Sequence, residues 1–248
     1  MAHTLDVNAL EIAFAGGELV DNGKLIRFDV AQIGLLKLSS EEVAASDPLV
    51  SPDAPVFAQK VPIGSHPVTL AIAQLAGGDE RIAFARLSFS SSPPVRWKLA
   101  VTADQDVRSL KKDEYFGYGV DSGTGCFTGR DAGLLLNQRL SDGDDYFNAI
   151  IDGMNSTYKH TRSWLCVQPS VSREENVVCF STGWGDGSYP SFFGFSAADE
   201  VVALVTDFFV LTGEEDKEVE DKRASMAPIN LKGTTTQPTK RPWWKFWR

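Results

Sequence analysis

Short apolar runs separated by polar turns recur through the first part of the chain. The runs lie at residues 25–30, 68–73, 82–89 and 95–101. Turn-forming residues separate them, as at 77–79 (GGD) and 92–94 (SPP). Short runs at this spacing are typical of antiparallel β-structure, because Gly, Pro, Asp and Ser end each strand after a few residues.

The second half of the chain combines further strand patterns with two helical ones. We predict strands at residues 115–121, 126–128, 163–168, 176–181, 191–195 and 201–210, and helices at 131–140 and 144–154. Ser141 and Asp144 have the spacing of a capping box for the second helix. The continuous apolar stretch at 201–205 (VVALV) predicts a strand buried on both faces.

These patterns predict an α+β protein that is mostly β. Its antiparallel sheets would form a sandwich or an open, barrel-like arrangement, with two short helices around residues 130–155. We expect one globular domain at residues 1–211. A charged and polar linker would follow at 212–239, where Thr, Pro and charged residues dominate, and then an aromatic and basic tail at 240–248.

The net charge of the chain limits the classes of molecule that it is expected to bind. The chain of 248 residues has a net charge of −9, and its last nine residues (KRPWWKFWR) contain four positive charges, which leaves −13 on residues 1–239. An acidic body argues against nucleic acid as a partner, since phosphate binding needs a basic face. It is compatible with a basic protein partner.

The cysteine content and the apolar runs point to the cytoplasm. Three cysteines, Cys126, Cys166 and Cys179, do not suggest a disulfide scaffold. We see no signal peptide in the first twenty residues and no apolar run of about 18 residues, the length a membrane span needs. We therefore expect a cytoplasmic protein.

Two glycine-dense motifs of similar design are the most informative local feature. The first is residues 119–127 (GVDSGTGCF) and the second is residues 181–189 (STGWGDGSY). Each places one carboxylate, Asp121 or Asp186, among glycines and hydroxyls beside an apolar run. Glycine occurs where the backbone needs a positive φ or a close approach, so the motifs are predicted to be shaped turns.

The chain resembles the bacterial domain-of-unknown-function family 4241. The matching segments run in order at residues 38–48, 62–68, 81–87, 120–127, 183–189 and 205–208, within a span of roughly 35 to 210. Segment 38–48 ends in an Asp-Pro step, and 62–68 contains a Pro-Val step into a strand. The resemblance implies a coherent fold and a bacterial origin, and it implies no established activity.

Three residues, Asp121, Cys126 and Asp186, are candidates for catalysis. Asp121 stands in a pattern, Asp-Ser-Gly-Thr, found in aspartic proteases, but those enzymes need a second aspartate in the same arrangement, and Asp186-Gly187-Ser188 lacks the order. The alternative is that Asp121 accepts N–H groups of its own turn. Cys126 is either an activated nucleophile or a buried apolar cysteine, and we favour the second.

The metal-binding patterns in the sequence are weak, and we predict no metal and no cofactor. His160 with Cys126, Cys166 and Cys179 contains no Cys-x-x-Cys pair of the kind typical of zinc sites. The acidic residues at 142, 144 and 145 lack the calcium-loop pattern, and helix capping explains them.

The candidate binding residues fall in the second motif and in the tail. Trp184, Asp186 and Tyr189 are predicted to form a surface site together with Asp121; the alternative is a tight turn whose tryptophan packs on the core. The tail places Trp243, Trp244 and Trp247 among basic residues. Docking of the tail on the chain's own body or on a partner protein is favoured over a membrane interface, because nine residues bury little.

The functional hypothesis is a non-enzymatic binding protein. More specifically, we hypothesise an immunity-type protein that neutralises a bacterial toxin through an acidic surface. The alternative is a small hydrolase or ligand-binding enzyme with a carboxylate pocket between the two glycine motifs, using Asp121, Asp186 and Cys126.

Overall fold

Within residues 3–211 the fold consists of three α-helices and twelve β-strands. A computed structural model of the chain describes residues 3–211. The helices are α1 (Val7–Phe14), α2 (Arg130–Ser141) and α3 (Asp144–Ser156). The strands are β1 (Glu18–Asp21), β2 (Lys24–Leu38), β3 (Ala44–Ser46), β4 (Gly64–Gln74), β5 (Glu80–Ser88), β6 (Arg96–Leu99), β7 (Gly117–Val120), β8 (Thr124–Thr128), β9 (Trp164–Val167), β10 (Val177–Ser181), β11 (Gly187–Phe195) and β12 (Val201–Asp207).

Eight of these strands form a curled antiparallel sheet, which we call the large sheet. Its order is β1-β2-β4-β5-β12-β11-β6, and β7 joins it by pairing with β11. Strand β11 changes partner along its length, since its first half pairs with β7 and its second half with β6. Helix α1 packs on β1, β2 and β4, and the carboxylate of Asp6 caps it by accepting the N–H of Ala9 at 2.9 Å.

The other four strands form the small sheet, whose central strands β8 and β10 are buried on both faces. Its order is β3-β8-β10-β9, and all of its pairings are antiparallel. Because side chains alternate along a strand, Phe127, Val178 and Phe180 join the core shared with the large sheet. The alternate residues Cys126 and Cys179 join a second core with helices α2 and α3.

A chain of aromatic rings connects the two sheets. Phe127 and Phe180 of the small sheet meet edge to face at 5.2 Å between ring centroids. Phe180 contacts Phe208 at 6.0 Å, and Phe208 contacts Tyr189 of β11 at 5.1 Å, again edge to face. This geometry suits the ring quadrupoles and adds about 0.5–1.5 kcal/mol per pair beyond burial.

The predicted fold class is confirmed. The sheets are antiparallel, two helices lie around residues 130–155, and β12 is buried on both faces beyond its first residue. The structure adds helix α1 and the short strands β1 and β3, which the apolar pattern did not indicate. Within residues 3–211 no helix is long and apolar enough to cross a membrane.

The predicted capping box at the start of α3 is wrong. Helix α2 continues to Ser141, whose hydroxyl donates to the carbonyl of Asn137 at 2.9 Å. The residue that precedes α3 is Gly143, with φ of 151° and no side-chain cap. The predicted linker at 212–239 and the tail at 240–248, with Trp243, Trp244 and Trp247, lie outside the described residues.

Gly133→Ala should destabilise the protein by about 1–3 kcal/mol, the usual cost of overpacking. A Cβ at Gly133 of α2 would overlap the carbonyl oxygen of Pro52, which is backbone and cannot move aside alone. Urea unfolding measures the effect. The matched control is Gly119→Ala on β7, where nothing lies within 4 Å of the new Cβ; equal losses in both variants would contradict the packing explanation.

Candidate functional site

Both glycine motifs lie where the chain passes from one sheet to the other. The first joins β7 of the large sheet to β8 of the small sheet, and the second joins β10 of the small sheet to β11 of the large sheet. Since β8 pairs with β10 and β7 pairs with β11, these strands form one two-stranded ribbon that bends between the sheets. We call this bend, residues 121–123 and 182–186, the corner.

The two motifs contact each other directly in the corner. The N–H of Thr182 donates to the carbonyl of Gly123 at 3.0 Å, and the N–H of Gly123 bonds to the Asp186 carboxylate. Gly123 has a φ of +67°, and a Cβ on it would lie 3.8 Å from the Cα of Gly185. A positive φ and a close backbone approach are the two conditions that favour glycine.

Asp47, just after β3, anchors the first motif. Its carboxylate is fully buried, at 0% exposure. One oxygen accepts the N–H groups of Asp121 and Ser122 at 2.9 and 2.8 Å, and the other accepts the Ser122 hydroxyl at 2.8 Å. The N–H groups of Leu49 and Val50 also donate to it, at 2.9 and 3.2 Å. Several donors on one carboxylate offset the desolvation that burial imposes on it.

The second motif is held from inside by hydroxyl groups. The Thr182 hydroxyl donates to the carbonyl of Gly185 at 2.7 Å, and the Tyr189 hydroxyl donates to the same carbonyl at 2.8 Å. Tyr189 is buried, at 4% exposure. It therefore supports the turn from below, and its ring belongs to the aromatic chain between the sheets.

Trp184 projects from the second motif but is held in one orientation. Its side chain is exposed, at 53%. Its indole N–H donates to the carbonyl of Phe209 at 3.2 Å, and the Arg81 guanidinium lies 5.0 Å from the ring centroid. Arg81 also donates to the carbonyl of Gly183 at 3.2 Å and to Asp79 at 2.8 Å. The tryptophan of this motif thus remains at the surface.

The corner also exposes two acidic side chains, Asp121 and Asp186. Partial burial raises the pKa of Asp186, and the negative charges of Asp121 and Asp47 raise it further, against the N–H of Gly123. The two motifs therefore place Asp121 and Asp186 close enough to repel each other. The N–H groups of Asp121 and Ser122 in this turn donate to the carboxylate of Asp47, in place of the predicted bonding to Asp121 itself.

The cysteines occupy two environments. Cys126 is fully buried, and burial raises the pKa of its thiol to about 12, so it is protonated near neutral pH. Burial likewise raises the pKa of Cys179. Cys166 shares a face with Val178, opposite to that of Cys126 and Cys179, so the strand pairing separates it from them. Among residues 3–211, no group of three or more His, Cys, Asp or Glu side chains is placed to hold a metal ion.

Two important carboxylates, Asp47 and Asp207, were not candidates in the sequence. Asp47 lies in the Asp-Pro step of segment 38–48. It bonds to the first motif across a separation of 74 positions, and no local sequence pattern indicates a contact over that distance. Asp207 ends β12, and one of its oxygens accepts the N–H of Phe209 at 2.9 Å. It thereby shapes the turn at Phe209, whose φ is 51° and whose carbonyl holds Trp184.

Asp47→Asn should lower the free energy of unfolding by about 2–4 kcal/mol. The amide removes the negative charge and turns one oxygen into a donor that faces N–H groups, so charged hydrogen bonds worth about 1.5–3 kcal/mol each are weakened or lost. Urea unfolding measures the loss. The exposed carboxylate of Asp121 gives the matched variant Asp121→Asn, expected within about 0.5 kcal/mol of wild type; comparable losses in the two would refute the anchoring role of Asp47.

Asp207→Asn should flatten the pH dependence of stability between about pH 4 and pH 7. Burial raises the pKa of Asp207 to about 7, with the nearby Asp6 adding to the effect and the Phe209 N–H opposing it. Between its ordinary pKa of about 4 and this value, the unfolded chain loses the proton while the native protein keeps it. The native state then binds more protons, so stability falls as pH rises, by an amount on the order of a few kcal/mol.

Urea unfolding at several pH values from 4 to 8 tests this. The wild type should lose more stability than the variant as pH rises to about 7, and the difference between them should stay constant above that pH. Parallel curves over the whole range would show that Asp207 ionises normally in the folded protein.

The chain belongs to the family described as "Protein of unknown function (DUF4241)", whose sequence pattern matches residues 36–206. The match covers the small sheet, both glycine motifs and most of the large sheet. No curated protein and no solved structure was found to match the chain.

Proposed function

We propose that this family member is a non-catalytic binding protein that engages a basic protein partner through the exposed side of the corner. The residues that make the contact are Asp121, Asp186 and Trp184. More specifically, we propose an immunity-type role, in which the partner is a toxin that the chain neutralises by occupying its basic surface.

The observation that carries this proposal is the pair of carboxylates that the corner brings together. Partial burial raises the pKa of Asp186, and the charge of Asp121 raises it further, which reflects repulsion between the two carboxylates at the surface of the free protein. A lysine or arginine side chain of a partner would relieve that repulsion. Acidic surfaces also accelerate association with basic partners and exclude acidic ones.

Trp184 adds a preformed apolar contact beside the carboxylates. Tryptophan is among the residues that contribute most to binding at protein interfaces. Here the bond to the Phe209 carbonyl and the stacked Arg81 guanidinium fix the ring before any partner arrives. A side chain that is already ordered loses less conformational entropy on binding.

The hydrogen bonds that hold the corner in place support a role in binding. Asp47 holds the first motif with five hydrogen bonds, and the Tyr189 and Thr182 hydroxyls hold the second. The exposed groups therefore stand on a rigid support, which favours a preorganised interface.

A carboxylate enzyme is the second candidate function. Burial and the neighbouring Asp121 raise the pKa of Asp186, and two neighbouring carboxyl groups in different environments are a feature of acid-base catalysis. Of the three candidate catalytic residues, Cys126 is the one that burial keeps as a neutral thiol. The carboxylates alone would then carry the reaction on a small substrate.

One pair of variants tests both candidates. The full chain and its Asp121→Asn/Asp186→Asn variant are immobilised and exposed at low and high salt to lysate of bacteria that encode the chain. The wild type should retain a basic protein at low salt, and the double variant should retain less than about a tenth as much, since rim charges act mainly on association. Growth arrest by that protein, relieved by co-expression of the chain, tests the immunity-type role.

The control makes the same change in net charge on helix α3 instead of in the corner. Asp145 and Asp152 are exposed on helix α3, so Asp145→Asn/Asp152→Asn alters the net charge equally. Equal retention by both double variants would show that total charge, and not the corner, binds the partner. Retention of no basic protein by the wild type, together with hydrolysis of a small ester or peptide that Asp186→Asn abolishes, would replace the binding function with the enzymatic one.

A further inference from the structure

Cys126 and Cys179 lie directly opposite each other on neighbouring strands. They are register partners in the antiparallel pair of β8 and β10. Side chains of directly opposite residues point to the same face of a sheet, and both cysteines belong to the core beneath helices α2 and α3. Both are free thiols with 0% exposure.

The hydrogen-bond pattern shows that Cys126 and Cys179 form a non-hydrogen-bonded pair, the kind whose Cα atoms lie closer together. Thr182 and Gly123 are joined by a backbone hydrogen bond in the same register, and bonded and non-bonded pairs alternate along an antiparallel ladder. Counting from Thr182, the bonded position recurs at Phe180, and Cys179 therefore falls between bonded pairs. On the β9 side the pattern is complementary, since Ser181 donates to the carbonyl of Ser163 at 2.9 Å.

Such a non-hydrogen-bonded pair has the dimensions of a disulfide. Its Cα atoms are about 4.5 Å apart, closer than the roughly 5.5 Å of a bonded pair. Disulfides join Cα atoms about 4.4–6.8 Å apart. A pair of this kind therefore has a typical Cα separation at the short end of the range that a bond between the two sulfurs requires.

We propose that Cys126 and Cys179 are a disulfide-forming site, and that oxidation joins them into a bond between the two strands that lead into the corner. The bond would lie three residues from the contact between Gly123 and Thr182. Oxidation would thus covalently link the supports of the two glycine motifs, below the surface that carries Asp121 and Asp186. This site does not depend on the proposed binding function.

The chemistry requires a two-electron oxidant, and a peroxide is the class that is small enough for a buried site. The Cys126 thiolate attacks one peroxide oxygen, the O–O bond breaks, and hydroxide leaves to form a sulfenic acid. The Cys179 thiolate then attacks that sulfur, the S–O bond breaks, and a second hydroxide leaves. The two thiol protons convert both hydroxides to water, so two thiols and one hydrogen peroxide give one disulfide and two waters.

Cys126 is the better first nucleophile of the two. The hydroxyl of Ser46 lies 3.4 Å from its sulfur, and this contact favours the thiolate. Burial opposes ionisation of both thiols, so the reaction proceeds through brief local opening and is slow. The exposed Cys166 should react with peroxide at least about tenfold faster.

The test uses the full chain with Cys166→Ser, which removes the exposed thiol and prevents links between molecules. After prolonged treatment of the folded protein with hydrogen peroxide, the peptides that carry Cys126 and Cys179 should together lose two hydrogens, whatever oxygen the three methionines of the chain gain. A digest without reductant should contain one peptide pair that links Cys126 to Cys179, and dithiothreitol should separate it. In the wild type the same linked pair should form while Cys166 gains oxygen first.

The matched control is Cys166→Ser/Cys179→Ala, which leaves Cys126 alone. Its Cys126 peptide should gain oxygen instead of losing hydrogen, because no second thiol can displace the sulfenic oxygen. The proposal is overturned if Cys126 and Cys179 in the Cys166→Ser protein each gain oxygen separately. It is equally overturned if both stay free for alkylation after the oxidised protein is unfolded.

Discussion

The carboxylate of Asp47 is the interaction on which the arrangement of the corner depends. It is buried at the edge of the small sheet, and it binds the backbone at the point where the chain leaves the large sheet at Asp121 and Ser122. Without an acceptor there, two N–H groups at the bend would have no strand partner in a region that excludes water. One buried carboxyl side chain therefore allows the ribbon to change sheets with its polar groups satisfied.

The layers on either side make such a bend necessary. Strands β8 and β10 are apolar on both faces, one facing the aromatic rings and the other facing helices α2 and α3. The chain continues from these strands into β7 and β11 of the large sheet, so the two-stranded ribbon has to change direction between the layers. Strands that switch sheets commonly do so at bends and bulges where side chains are small, and the glycine motifs meet that requirement.

The sequence predicts the elements of this protein better than it predicts their partners. Alternating or continuous apolar residues reveal a strand locally, which is why β5 and β10 were predicted within two residues of their bounds. In contrast, β4 begins four residues earlier and β12 ends three residues earlier than predicted. Helix α1 was missed because its eight residues carry a short apolar stripe that a strand could equally show. The predicted capping box failed because two helices adjoin there, so Ser141 completes the first instead of capping the second.

The residues of the candidate site also differ in how well the sequence predicts them. Asp121, Asp186 and Trp184 were identified because glycine-rich turns expose what they carry, and the structure places them at one corner. Tyr189 and Cys126 were also identified as candidates, but both side chains are buried in the interior. Which face of a strand is buried depends on the elements packed against it, and the local sequence does not show these. Asp47 and Asp207 act on backbone groups, and no residue pattern marks the N–H that a distant carboxylate will meet.

The order of strands in the large sheet has a consequence for synthesis of the chain. Strands β1, β2, β4 and β5 are neighbours in space and follow one another along the chain with only β3 between β2 and β4, so they can pair soon after they leave the ribosome. The other edge of β5 waits for β12, which begins at Val201, more than a hundred residues later. Until then an apolar edge is open to pairing with other chains. A growing chain is thus most prone to aggregate in that interval, and a chaperone would protect it there.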